Sequence, residues 1–233
     1  MIKTLTVTTH DRPRLLERML QTLAVCGPHK YRAFVRCEPG CEVAPRLVRR
    51  YLPRAQIHVN RKKLGVRENP YQALTDAFQA GSEYNLYLEE DIILSPDAIA
   101  LADWYCEHPP AQQTLCLNLL RYQSDASRPD EVLVTATEFN ALGLGITRAA
   151  WFAHFQRVWF EDPPGRKEIG WDWSVKRMLG DTPDLFTVQP ALSRSNHTGR
   201  VGTYCRPAFH DATFGHLATS ATPGPGNYRY VDL

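Results

Sequence analysis

Four short apolar runs alternate with segments of helical periodicity through the first 110 residues, and this alternation restricts the chain to a sheet built by crossovers. Leu5–Thr9, Ala33–Cys37, Gln56–Val59 and Asn85–Glu89 read as strands, the first of them (LTVTT) rich in β-branched residues. Between them, Pro13–Leu23 sets Leu16, Met19, Leu20 and Leu23 on one helical face, with Pro13 in the first turn where its missing N–H costs nothing. Val43–Leu52 reads as a basic helix. Pro70–Ala80 stacks Tyr71, Leu74 and Phe78 on one face before the stop signal Gly81. Ser95-Pro96-Asp97 reads as a further helix start, with the helix running to about His108. Short links between such units favour a mainly parallel sheet covered by helices on both faces. With strand order 3-2-1-4, ligands sit where the order reverses, between strands one and four.

The second half is less regular. Thr114–Leu120 and Val132–Ala136 read as strands, Arg148–Val158 and Asp172–Leu179 as helices, and the residues after Tyr204 as a loop-like tail. A hydrophobic share of 43% and a charged share of 22% exclude long disorder, and 233 residues suit one large domain. No apolar run reaches membrane-spanning length, and the start MIKTLTVTTHDRP is too polar for a signal peptide. Six cysteines without zinc spacing read as free thiols. The expectation is a soluble, cytoplasmic protein. Its charge is segregated: residues 1–80 hold 15 Lys/Arg against 6 Asp/Glu, and residues 81–138 hold 2 against 11. Such a division suits an anion and a cation bound side by side.

Three motifs carry chemistry. Glu89-Glu90-Asp91 ends the fourth strand, and three adjacent carboxylates are costly to hold without a cation; hard oxygen ligands suit Mg2+ or Mn2+. Thr9-His10-Asp11-Arg12-Pro13 follows strand one, with Arg12 available to an anionic group. No glycine-rich phosphate loop follows that strand, so neither a P-loop nor a dinucleotide fingerprint is present. Trp171-Asp172-Trp173 follows the loop Pro163-Pro164-Gly165; a carboxylate between two indoles gains basicity by desolvation and fits a general base. His197, in the polar run NHTGRVG, is a candidate metal ligand or phosphate donor.

Read in order, the segments TTHDRPRLLERMLQTL, YLEEDIILSPDAI, FNALGLGITRAAW, GWDW and QPALSRSNHTGRVG resemble the GT-A-fold glycosyltransferases, most closely the N-acetylglucosaminyltransferase I-like branch. The resemblance implies a Rossmann-like mixed sheet in a single domain. Residues 1–110 would be a nucleotide-sugar-binding half, residues 111–204 an acceptor and catalytic half, and residues 205–233 the tail. It implies inverting transfer from a nucleotide diphosphate sugar, a UDP-sugar before others, with Mn2+ or Mg2+. Asp91 would ligate the metal, with His197 in a loop that orders over the donor phosphates. Thr9, Arg12, Glu38, Arg67, Asn69, Glu89, Glu90 and Trp171 would line the donor, and Asp172 would be the general base. Glu90 and Glu38 stand where that branch has Asp, and only one acid follows Trp171. The acceptor stays open among a glycan, a small molecule and modified DNA. A phage-type, virus-encoded enzyme acting on hydroxymethylated bases would use the basic stretch Arg46, Arg49, Arg50, Arg54, Arg61, Lys62, Lys63 and Arg67. A non-catalytic nucleotide- or sugar-binding module is the alternative from another class. Metal-dependent phosphoester hydrolysis would need more ligands than the sequence offers.

Overall fold

A computed structural model describes residues 1–162, 170–202, 204–224 and 226–231 of the chain. The first half consists of β1 (Lys3–Thr9), α1 (Pro13–Val25), β2 (Arg32–Cys37), α2 (Val43–Tyr51), β3 (Gln56–Val59), α3 (Gly65–Gln79) and β4 (Tyr84–Glu89). Then come β5 (Ile92–Leu94), α4 (Ala98–Glu107), β6 (Thr114–Asn118), β7 (Glu131–Thr135) and β8 (Leu144–Thr147). A helical stretch follows as α5 (Arg148–Ala150), a π-type turn at Trp151–Phe155, and α6 (Gln156–Val158). The order closes with α7 (Trp171–Gly180), β9 (Phe186–Pro190), β10 (Ser195–His197), α8 (Pro207–Thr213) and β11 (Arg229–Val231).

Nine strands form one sheet in the order β11-β7-β9-β6-β8-β4-β1-β2-β3, and β10 pairs with β5 in a two-stranded sheet of its own. The order β3-β2-β1-β4 is the one expected, and these four strands are parallel. β8 runs antiparallel to both β4 and β6, so β6 points the same way as β4. The carboxyl ends of β1, β4 and β6 therefore open on one edge of the sheet.

Each face of the sheet buries its own apolar cluster. Leu16, Met19, Leu20 and Leu23 of α1 join Ala44 and Val48 of α2 and Leu101 of α4 against Leu5, Val7, Val35, Leu86 and Leu88. On the other face, Leu74 and Phe78 of α3 meet Trp151, Phe155, Trp159, Trp171 and Val175 against Tyr87, Leu115 and Ile146. The alternation of Leu86, Tyr87 and Leu88 between the two clusters is the period-2 signature of a strand buried on both sides.

Some boundaries differ from expectation for identifiable reasons. α3 begins at Gly65 rather than Pro70, because the Glu38 carboxylate accepts the Leu64 and Gly65 N–H groups and so satisfies donors at the helix start. α4 begins at Ala98 with Asp97 rather than Ser95 at the N-cap position, and the Asp97 carboxylate is taken by Arg194 and Tyr228 and makes no capping hydrogen bond. The residues after Tyr204, expected to be loop-like, carry α8 and the edge strand β11, which pairs in parallel with β7. The loop Pro163-Pro164-Gly165 lies outside the described residues. All six cysteines are free, and among the described residues no helix is long and apolar enough to cross a membrane.

Candidate active site

The ends of β1 and β4 meet at Glu90. Its carboxylate accepts from Thr9 Oγ1 at 2.7 Å, from the His10 backbone N–H at 2.7 Å and from Arg12 Nε at 2.6 Å. At 1% exposure this carboxylate is internal, and three donors replace the water it has lost. Arg12 reaches on to Asp91, with Nη1 at 2.8 Å from Oδ2. One guanidinium is thus shared by two carboxylates. Burial alone would lower the Arg12 pKa, but the charges of Asp91 and Glu90 raise it above its ordinary value.

Asp91 is also approached by the loop after β10. β10 lies antiparallel on β5 with His197 opposite Ile92, and this register puts His197 Nε2 3.2 Å from Asp91 Oδ2. Thr198 donates its backbone N–H and its hydroxyl to the Asp91 carbonyl at 2.8 and 3.0 Å. Gly199 follows because no side chain fits: a Cβ there would overlap Asp91 Oδ2 and lie 3.0 Å from His197 Nε2 and 3.1 Å from Arg12 Nη1. Behind the loop, His210 Nε2 is 2.9 Å from the His197 carbonyl and the Phe214 ring lies 4.9 Å from the imidazole. Burial raises the Asp91 pKa, but the hydrogen bond and charge of His197 and the charge of Arg12 outweigh it, so the carboxyl titrates below its ordinary range. Asp91 Oδ1 and His197 Nδ1 remain buried without a hydrogen-bond partner.

Those two orphaned atoms are the test of fit for a divalent cation. A carboxylate oxygen suits Mn2+, as does an imidazole nitrogen once the ion has replaced its proton, and ligand phosphate oxygens ordinarily complete such a sphere. Among the described residues, no group of three or more His, Cys, Asp or Glu could hold a metal unaided.

Glu89 and Asp172 form the other side of the site. Tyr87 donates its hydroxyl to Glu89 Oε1 at 3.0 Å and lies 2.8 Å from Thr8 Oγ1. Burial first, then the Asp91 charge, with a further contribution from Asp172, push the Glu89 carboxyl up to about 8. Asp172 is the second residue of α7, and burial raises its carboxyl above the usual aspartate range. Its own backbone N–H and that of Trp173, with the charges of Lys176 and Arg67, pull the other way.

Other expected donor residues lie deeper. Both oxygens of Glu38 are engaged by the start of α3 and by Asn60 Nδ2 at 3.0 Å. Asn60 Nδ2 also donates to Asn69 Oδ1 at 2.8 Å, and Asn60 Oδ1 accepts from Arg36, which pairs with Asp76 at 2.7 Å. Glu38 and Asn69 thus belong to a buried network that joins β2, β3 and α3. Arg67 is drawn to Asp162 at 2.7 Å. Trp171 is 3% exposed, stacked on Trp159 with ring centroids 4.0 Å apart and edge-on to Tyr87, so its indole is part of the core. In the basic stretch, Arg46, Arg49, Arg50, Arg54, Arg61, Lys62 and Lys63 are exposed on α2 and the turns flanking β3. Sequence reasoning missed the His10 amide, Gly199, Thr8 and Tyr87, all of which act through backbone placement or burial.

No family model matches the sequence, and no curated protein matches it. Solved structures of similar fold include the mannosyltransferase PcManGT from Pyrobaculum calidifontis in complex with GDP-Man and Mn2+. That likeness has 16% identity and a TM-score of 0.52, over 80% of this chain and 56% of that one. Another is residues 1–349 of S. aureus TarS in complex with UDP-GlcNAc, with 15% identity and a TM-score of 0.62, over 88% of this chain and 60% of that one. The chain spans less than two thirds of the length of either. At these identities the likeness establishes the fold: a GT-A-like mixed α/β sheet shared with nucleotide-sugar transferases.

Proposed function

We propose that the chain is a glycosyltransferase, moving a hexosyl or N-acetylhexosaminyl group from a nucleotide diphosphate sugar to an acceptor hydroxyl with inversion. The observation that carries this reading is the Arg12–Glu90–Asp91–His197 cluster at the reversal between β1 and β4, with the Asp172 charge reaching Glu89. Support comes from the fold, since structures that share it hold GDP-Man and UDP-GlcNAc. The order of motifs supports the N-acetylglucosaminyltransferase I-like branch and, with it, a UDP-sugar.

In this reading Asp91 and His197 would hold Mn2+ or Mg2+ beside the donor diphosphate. Such an ion supplies positive charge against the negative charge that builds on the leaving diphosphate. Arg12 fixes the Asp91 carboxylate through Oδ2 and leaves Oδ1 for the ligand. The acceptor oxygen forms its bond to the anomeric carbon, the bond from that carbon to the phosphate oxygen breaks with its electron pair, and the acceptor proton passes to Asp172. The raised Asp172 carboxyl strengthens it as a base.

The test is the shift of melting temperature with UDP, GDP, ADP and CMP, each with and without Mn2+. A ligand at 100 times its Kd stabilises by about 2.7 kcal/mol. The expected result is a UDP shift that requires Mn2+ and vanishes in Asp91→Asn. Absence of a shift with every nucleotide overturns the reading.

A further inference from the structure

The imidazole of His197 has only a loose hold of its own. Its Nε2 lies 3.2 Å from Asp91 Oδ2, longer than the 2.7–2.9 Å or so of a strong charge-assisted bond. β10 is three residues long and Gly199 follows two residues later, so the local chain adds little stiffness. A metal site nevertheless works within about ±0.2 Å in its ligand distances. The place of this imidazole is therefore set from behind.

Behind it lies α8, in the part of the chain expected to be loop-like. His210, 8% exposed, points Nε2 at the His197 carbonyl 2.9 Å away. A carbonyl only accepts, so His210 carries a proton on Nε2. Its other nitrogen is 3.3 Å from Asp211 Oδ1, and Asp211 in turn accepts from Arg200 Nε at 2.9 Å. The His197 N–H goes to Asn196 Oδ1 at 2.8 Å, and Asn196 Nδ2 donates to the Phe214 carbonyl at 3.2 Å. β10 and the end of α8 thus hold each other by one side-chain bond in each direction. Three rings close the arrangement: His197 is 4.9 Å from Phe214 and 5.6 Å from His210, and the last two are 5.5 Å apart. His210 and Phe214 stand four residues apart on one side of the helix, so both face the imidazole.

We infer that His210 is a positioning residue for His197. Its bond to the His197 carbonyl, with Phe214 against the ring, holds the imidazole where a divalent cation shared with Asp91 takes it. The inference rests on the reading of Asp91 and His197 as ligands of that cation.

Electron spin-echo spectroscopy of Mn2+ on the full chain with UDP tests it, beside a titration of Mn2+ affinity and a melting curve without metal. The parent chain is expected to show nitrogen modulation from an imidazole on the ion, and His197→Ala to lose it. His210→Ala is expected to weaken Mn2+ binding by about tenfold or more and to diminish the modulation. Two amide variants separate positioning from bulk. His210→Gln places an amide N–H where Nε2 stood and is expected to restore both signals. His210→Asn places it where Nδ1 stood, short of the His197 carbonyl, and is expected to behave like His210→Ala. This comparison holds even if His210→Ala fails to fold. Unchanged Mn2+ affinity and modulation in His210→Ala overturn the inference, as does equal weakening in the Gln and Asn variants. Mn2+-dependent UDP binding without nitrogen modulation in the parent removes His197 as a ligand and the inference with it, while the glycosyltransferase reading stands. No nucleotide binding by the parent at all is the failure of that reading itself.

Discussion

Two carboxylates a few residues from the strand ends are set to opposite tasks by their surroundings. Asp91 meets His197 and Arg12 and stays ionised, while Glu89, half-buried near Asp91 and within reach of the Asp172 charge, holds its proton to about pH 8. The folded state therefore binds a proton at Glu89 that the unfolded chain releases near the ordinary glutamate value. Between those two values, stability falls as pH rises. Glu89→Gln removes this dependence, so melting curves taken from pH 5 to 9 are expected to be flatter for the variant than for the parent chain. Asp172 gives a kinetic counterpart. Because its carboxyl is raised, transfer is expected to begin failing on acidification at a pH above that of an unperturbed aspartate. Asp172→Asn is expected to keep the nucleotide shift and lose about 10²–10⁴-fold in transfer. A near-parental rate in Asp172→Asn removes the base assignment.

Among the elements, the parallel strands and their helices were readable because each repeats one period long enough to be recognised. Leu16, Met19, Leu20 and Leu23 of α1 are all buried as that period demands. The strands that went unread are short or polar. β10 is Ser195–His197 and β5 only Ile92–Leu94, and each gains its identity from the other rather than from its own residues. The site divides in the same way. Arg12, Thr9, Glu90 and Asp91 come together because topology joins the ends of β1 and β4, and that much could be read from strand order; His197 arrives on the unread β10, through its pairing with β5. The inward turn of Glu38 and Trp171 could not, since it depends on which neighbours compete for them. Glu38 has become a helix cap. Glu38→Ala is expected to cost about 1–3 kcal/mol in urea unfolding by uncapping α3 and stranding Asn60, with the order of nucleotide preference unchanged. A changed preference with unchanged stability would return Glu38 to the donor pocket.

On the scale of the whole molecule, one buried ion pair ties the second half to the first. Arg194, between β9 and β10, donates Nε to Asp97 Oδ2 at 2.7 Å, and the Tyr228 hydroxyl donates to the same oxygen at 2.8 Å. Both charged side chains are 2% exposed. Arg194→Met strands the Asp97 charge in the interior and is expected to cost about 3–5 kcal/mol in denaturant unfolding, whereas an Arg194→Met/Asp97→Leu double variant is expected to recover most of it. Full stability in the single variant would show that water reaches Asp97. The position of β11 has a different consequence, one of timing. β7 acquires its outer neighbour only through residues 229–231. At roughly 5–20 residues per second of synthesis, the intervening stretch of about a hundred residues keeps that edge bare for on the order of 5–20 s. During that interval the nascent chain carries an unpaired strand on the ribosome, open to a chaperone or to the same strand of a neighbouring nascent chain.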